Sequence, residues 1–192
     1  LMRYYPVEFI AAMLNSFIGS AEKASFYIRY AKCIGIELLP PDINESGARF
    51  TVSGNKIRFG LAGIKNLGFS VIESIIQTRE KKGQFTSFHD FMSKLDEAGL
   101  NKRACECMIK AGAFDSMGVE RSRLLAVYER ILESFSSERR RLIKGQMSFF
   151  GSEAGDGTED IDGFAINLPQ IEEFPLKDRL FMEKEMTGLY LS

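Results

Sequence analysis

"GLAGIKNLGFSVIESIIQTRE", residues 60–80, decides the fold. Its second half places Val71, Ile72, Ile75 and Ile76 at helical spacing, which predicts a helix over about 69–82 with those residues inward. Its first half ends in a tight turn, "IKNLG" (64–68), that opens this helix. The leading N–H groups of a helix lack partners within it and point at whatever lies before it. Together with the helix dipole they make a seat for a phosphate-sized anion. Gly68 removes the side chain that would hold a sugar-phosphate strand away, and Lys65 adds a positive charge beside the seat. The plainer alternative is a helix-to-helix turn that holds no ligand.

Downstream, "TSFHDFMSKLDEAGLNKRACECMIKAGAFD" (86–115) reads as helix, turn and helix again. A short helix starts at Phe88, with Ser87 and Asp90 at capping-box spacing. The next covers 102–111, capped by Asn101 and stopped at Gly112, with Lys102 and Arg103 at its start. A longer helix runs from about 120 into "SSERRRLIK". Upstream, "VEFIAAMLNSFI" (7–18) is apolar nearly all round and Pro6 suits its first turn, so a buried helix is expected. Within this piece alone that stretch is expected to be poorly covered. A second helix over 21–34 follows, with Ser20 as N-cap and Phe26, Tyr27, Tyr30, Ala31 and Ile34 on its apolar face. Pro40 and Pro41 forbid helix and leave an extended link. In "ARFTVSGNKIRFG" (48–60) the period becomes two: Phe50 and Val52 share a face, and Ile57 and Phe59 answer after "SGN". The fold class is therefore mainly α with one small β-hairpin.

The 192 residues, 45% hydrophobic and 27% charged, suit one medium domain or two small ones. No apolar run approaches the ~18 residues of a membrane span. Cys33, Cys105 and Cys107 are an odd set without framework spacing, which implies a reducing, cytoplasmic setting. With His89 the single histidine, they make a poor zinc site. Charge is uneven along the chain. Lys56 to Lys110 carries ten basic and six acidic residues, and Arg121 to Lys144 seven and three. Gly145 to Pro175 carries seven acidic residues and no basic one, and its "GSEAGDGTEDIDG" is too polar to order itself. The chain opens and closes in the middle of apolar patterns, as expected of a piece of something longer.

The order hydrophobic–x–Asn–hydrophobic–Gly in "IKNLG" resembles the hairpin of the helix-hairpin-helix family. Gly usually stands in that family where this chain has Asn66, and Asn is the next most tolerant residue at positive φ. With residues 86–115 as a second copy, the resemblance implies a tandem helix-hairpin-helix domain. Such a domain grips double-stranded DNA across a minor groove by its backbone. Lys65, Asn66 and Gly68 would be the DNA-binding residues of the first hairpin, and Lys102 and Arg103 those of the second. Against this, Lys102 and Arg103 are equally readable as solvated surface. Arg139, Arg140 and Arg141 read as a solvated face or as a duplex contact, sharpened if Arg121 and Arg123 fall on the same side.

"YYPVEFIAAMLNS", "GIELLPPDINES", "RFGLAGIKNLG", "NKRACECMIKAGAFDSMG" and "GQMSFFG" occur in this order. Over essentially the whole chain the series resembles the alpha subunits of bacterial DNA polymerase III, the C-family replicative polymerases. The resemblance implies the C-terminal part of a helical fingers domain (1–60) and a tandem helix-hairpin-helix domain (61–117). It then implies a basic helix with a clamp-binding peptide (118–151), and an acidic linker with the start of the next domain (152–192). "QMSFF" resembles the family's peptide for the beta sliding clamp. Gln146 would bond the lip of a pocket on the clamp, Phe149 and Phe150 would fill it, Met147 would line its rim, and Ser148 lies between Met147 and Phe149. The rings could instead fold back on the preceding helix as a cap. The implied partners are double-stranded DNA, the beta clamp and the other domains and subunits of the holoenzyme, in the bacterial cytoplasm and away from membranes.

Nucleotidyl transfer needs carboxylates that hold two metal ions. The acidic residues are scattered at helix ends and in the linker, none forms an Asp-x-Asp pair on a strand, and the resemblance places the catalytic aspartates upstream. This piece is thus expected to have no catalytic residues, cofactor or polymerase activity of its own, with Mg²⁺ expected for the parent polymerase. A repair enzyme of helix-hairpin-helix type would need a catalytic Asp past the hairpin, where "FSVIESII" has none. A structural domain that only mediates subunit contacts is the remaining rival.

Overall fold

The structure, a computed structural model, describes residues 4–95, 100–143 and 168–191. Pro6 opens α1 (Pro6–Ser16), where a missing N–H costs nothing. Val7, Ile10, Ala11 and Leu14 repeat at helical spacing and are all buried, so this helix is better covered than its sequence implies. In α2 (Ala21–Cys33) Ser20 occupies the N-cap position but makes no cap bond through its side chain. The buried face is Ile28 and Ala31, while Phe26 and Ile34 of the expected stripe are exposed. The face is rotated because α2 packs on α1 and on the strand that follows it, leaving its far side open.

The sheet holds one strand more than expected. β2 (Thr51–Ser53) and β3 (Lys56–Arg58) form the hairpin, with Val52 opposite Ile57 and Gly54 at positive φ in the turn. β1 (Glu37–Leu39) pairs in parallel with β3, giving the order β1-β3-β2. Three residues before two prolines are too few to show a period, which is why this strand is invisible in the sequence. β2 is one of the two edge strands, and its Val52 is exposed although Phe50, expected on the same face, is buried.

The segment after β1 is built from side chains that imitate backbone. Asp42 accepts from the amides of Asn44 (2.7 Å) and Glu45 (3.1 Å). Ser46 Oγ accepts from Asp42 N and donates to the Phe59 carbonyl. Asn44 Nδ2 donates to Phe85 O at 2.9 Å while its Oδ1 accepts from Phe85 N at 2.8 Å. Ile43 N donates to Ala113 O. "PPDIN" thereby ties the sheet to the helical half.

That half contains α3 (Phe69–Lys82), α4 (Phe88–Lys94), α5 (Lys102–Lys110) and α6 (Arg121–Ile143). The boundaries are close to those expected. Ser87 caps α4 by accepting from Asp90 N, and Asp90 reaches back to Thr86 N. Phe85, Phe88, Phe91 and Phe114 pack ring on ring at its centre. Residues 176–187, given no element in the sequence reading, form α7 (Leu176–Thr187) against α5. The buried apolar side chains from α1 to Leu189 make one cluster. Among the described residues no helix is long and apolar enough to cross a membrane.

Candidate nucleic-acid interface

The hairpin turn is held from below and open above. Ile64 and Leu67 are buried in the core, and Lys65, Asn66 and Gly68 stand exposed between and beside them. Asn66 has φ +61°, the one positive φ outside glycine among the described residues. That is the conformation the sequence pattern requires of this position, and Asn tolerates it better than most residues. Its side chain lies close to the Cys107 thiol of α5. The Lys65 amide donates to Met186 O on α7 at 2.7 Å.

The start of α3 is bare. Gly68 occupies the N-cap in extended backbone, no side chain caps the helix, and its first turn carries no acidic residue. The Val71 and Ile72 amides return to the Gly68 carbonyl, both at 3.1 Å. A Cβ at Gly68 would meet nothing closer than Ser70 Oγ at 3.9 Å, and its φ of −68° suits any residue. Neither strain nor crowding inside the chain calls for glycine here. What glycine supplies is an unobstructed approach to the amides behind it.

α5 begins differently. Asn101 Oδ1 accepts from Ala104 N at 2.8 Å, so this helix carries its own cap. Lys102 Nζ lies 2.7 Å from Glu133 and 3.3 Å from Glu129, both on α6. Those hydrogen bonds, the one to Glu133 foremost, raise the lysine's pKa. Arg103 is exposed beside it. The structure thus gathers Lys65, Asn66 and Gly68 at one turn and puts Lys102 and Arg103 at a separate, capped helix start.

Arg121 does not sharpen the duplex-contact reading of the basic run. It is buried, and reaches Asp115 through Nε (2.9 Å) and Nη2 (2.5 Å), Glu183 Oε1 through Nη2 (2.8 Å) and Lys110 O through Nη1 (3.3 Å). Burial alone would lower its pKa, but the two carboxylates outweigh that and raise it. It is therefore no duplex contact. Gly112, at φ +81°, leaves room for this guanidinium, with which a Cβ would collide. "KAGAFD" is in this way the berth of one arginine. Sequence reasoning missed Glu183, whose signal was an acidic residue inside the apolar pattern of "EKEMTGLYLS".

Burial pushes the Cys105 thiol up to about 12 and also raises Cys107, so neither offers a thiolate at neutral pH. Among the described residues no three His, Cys, Asp or Glu side chains are placed to hold a metal ion. Gln146, Met147, Ser148, Phe149 and Phe150 lie outside the described residues.

A family model described as a helix-hairpin-helix motif matches residues 35–124, a span that includes both the bare and the capped helix start. Fold and turn together define a helix-hairpin-helix section. DNA polymerase III subunit alpha of Mycobacterium tuberculosis is 41% identical over 98% of the chain. Those of Thermus aquaticus and Campylobacter jejuni are 39% and 35% identical over 98% and 100% of it. The chain spans about 16% of the length of such relatives. It is a homologue of one section of the DNA polymerase III alpha subunit.

Proposed function

We propose that this chain is the part of a replicative DNA polymerase that holds duplex DNA by its backbone and carries the peptide for the sliding clamp. The bare start of α3, open at Gly68 and flanked by exposed Lys65 and Asn66, carries the DNA half of this reading. Amides that grip phosphate carry no base information, so binding is independent of sequence. The shared name of the relatives supports a place in replication. In this reading residues 1–60 dock on the catalytic body and 61–117 hold the duplex. Residues 118–151 present the basic helix and the clamp peptide, and 152–192 lead to the next domain. Nucleotidyl transfer belongs to the larger protein in the bacterial cytoplasm. Its Mg²⁺ finds no fitting donor set among the described residues.

The pairing of Lys102 with Glu129 and Glu133 favours a second reading for that hairpin alone. There the second unit is scaffold, with its lysine tied to α6.

Titrating a random-sequence duplex at several salt concentrations tests both. For two to four engaged phosphates, log K should fall by about 0.9 per phosphate per decade of salt. Lys65→Glu is expected to weaken binding and to make that slope shallower by about one phosphate. A loss with Lys102→Glu and Arg103→Glu would bring the second hairpin to the DNA, and no loss would leave it as scaffold. A flat salt response in the unmodified chain would remove both hairpins from DNA.

A further inference from the structure

The "EKEMTGLYLS" run has no part in DNA or clamp binding in the function just proposed, yet the structure binds it to the hairpin. Met186 O, in the last turn of α7, accepts the Lys65 N–H at 2.7 Å. One turn earlier Glu183 lies in the core, its side chain 1% exposed. Glu183 Oε1 accepts from Arg121 Nη2 at 2.8 Å, and Oε2 accepts from Leu191 N at 3.0 Å. Thr187 Oγ1 closes the helix end by donating to Glu183 O at 2.7 Å. Leu189 and Thr187 then line a small cavity with Gly63 and Lys65 of the hairpin. A carboxylate at this depth is costly unless paired. Arg121 already has Asp115 as a counter-charge, so Glu183 is not needed to neutralise it. A buried pair of this kind is best attested as a device that fixes register. What Glu183 fixes is the Met186 carbonyl three residues on, and through it the backbone of Lys65.

We infer that residues 176–191 are a strap that positions the phosphate seat, with Glu183 as its positioning residue. The Glu183–Arg121 pair holds α7 so that Met186 O pins Lys65 and the turn presents Asn66 and the first amides of α3 outward. The inference rests on the DNA-backbone reading above. It also predicts a sign opposite to simple electrostatics. Removing the Glu183 charge makes the chain more positive and should strengthen DNA binding by charge alone, whereas loss of the strap weakens it.

The test uses the full chain with Glu183→Gln, Glu183→Ala and Lys65→Glu, duplex binding over a range of salt, and hydrogen exchange of the backbone amides. Glu183→Ala is expected to lower affinity by about fivefold or more, the floor of a typical coupling between sites. Its salt slope should become shallower by about 0.9, one phosphate, which a mere fall in folded fraction would not do. Glu183→Gln, which keeps one acceptor for Arg121, should fall between. The Lys65 amide should exchange faster together with residues 176–191 while α3 and α5 stay protected. Unchanged affinity and slope in Glu183→Ala, with Lys65→Glu still weak, would overturn the strap and leave the DNA reading standing. Loss of protection through α3 and α5 as well would assign the effect to the core at large and overturn it too. If Lys65→Glu and salt are both without effect, the DNA reading itself fails, and the strap with it.

Discussion

Two asparagines do the work of missing backbone. Asn15 on α1 donates to Phe50 O at 2.9 Å and accepts from Phe50 N at 2.8 Å, and Asn44 does the same with Phe85. Only a carboxamide carries a donor and an acceptor in this arrangement. Asn44→Asp keeps the shape and the bond to Phe85 N, but sets an acceptor against the Phe85 carbonyl. The expected loss is about 1–3 kcal/mol, the usual penalty for a stranded buried group. It should appear in urea as a lower midpoint at unchanged slope. An unshifted midpoint would mean that burial of the Phe85 ring alone holds the α3–α4 loop to the "PPDIN" segment. At this scale the sequence was partly legible. Asn66 could be placed at positive φ because the turn pattern demands it and few side chains tolerate it. Asn44, Gly112 and Asp115 stood inside signatures whose reason was hidden, since their partners Phe85 and Arg121 are distant or on another element. The side on which Arg121 falls was open for the same cause: its carboxylates, Asp115 and Glu183, lie on other elements.

Helices were the most legible elements, because apolar spacing and end residues are local properties. α3, α5 and α6 start within a residue of where caps and periods put them. β1 and α7 were not legible, the first for its length and the second because an acidic tract precedes it and its apolar residues form no single stripe. The two ends of α6 and α7 meet in a way no local rule foretells. Glu173, ahead of α7, accepts from Arg121 N at 2.8 Å and Ser122 N at 3.1 Å, capping α6 from a distant segment. Burial raises the Glu173 carboxyl, but the amides of Phe174, Arg121 and Ser122, helped by the Arg179 charge, outweigh it and hold its pKa below the usual range. A folded pKa below the unfolded value means stability that is fully present above the unfolded pKa and is lost as pH falls through the folded one. The unfolded value for Glu is about 4.3. The start of α6 and residues 168–175 should therefore loosen as pH drops from about 4.3 downward, with exchange of the Arg121 and Ser122 amides as the readout. Glu173→Gln should show that loosening already at neutral pH and lose the acid step. An unchanged acid step in Glu173→Gln would assign it to another carboxylate, with Asp90, whose pKa is also lowered, the next candidate.

Over the whole molecule, the described chain ends α6 at Ile143 and resumes on the same body at Leu168. Both flanks of the "QMSFF" peptide therefore belong to the unit that carries the phosphate seat, through α6 on one side and the Glu173 and Glu183 contacts on the other. The sequence reading placed an acidic linker here from composition. It could not place the return, because the partners of residues 168–191 lie at the hairpin and at Arg121, far away along the chain. For the proposed clamp contact this arrangement has a physical consequence. A peptide joined to a DNA-bound body meets its ring at an effective concentration set by the connecting chain, so that rebinding becomes intramolecular. Aromatic anchors that are fully desolvated on binding commonly carry about 2 kcal/mol or more each. Replacing Phe149 and Phe150 by Ala should accordingly cut retention by the clamp at least about thirtyfold, the equivalent of one such anchor. Duplex affinity and its salt slope should stay as they are, because neither ring belongs to the hairpin. Retention that survives the double substitution would move the clamp contact to another part of the chain. A parallel fall in DNA affinity would instead favour the rings as a hydrophobic cap on the DNA-binding body, since only then would their loss reach the turn at Asn66.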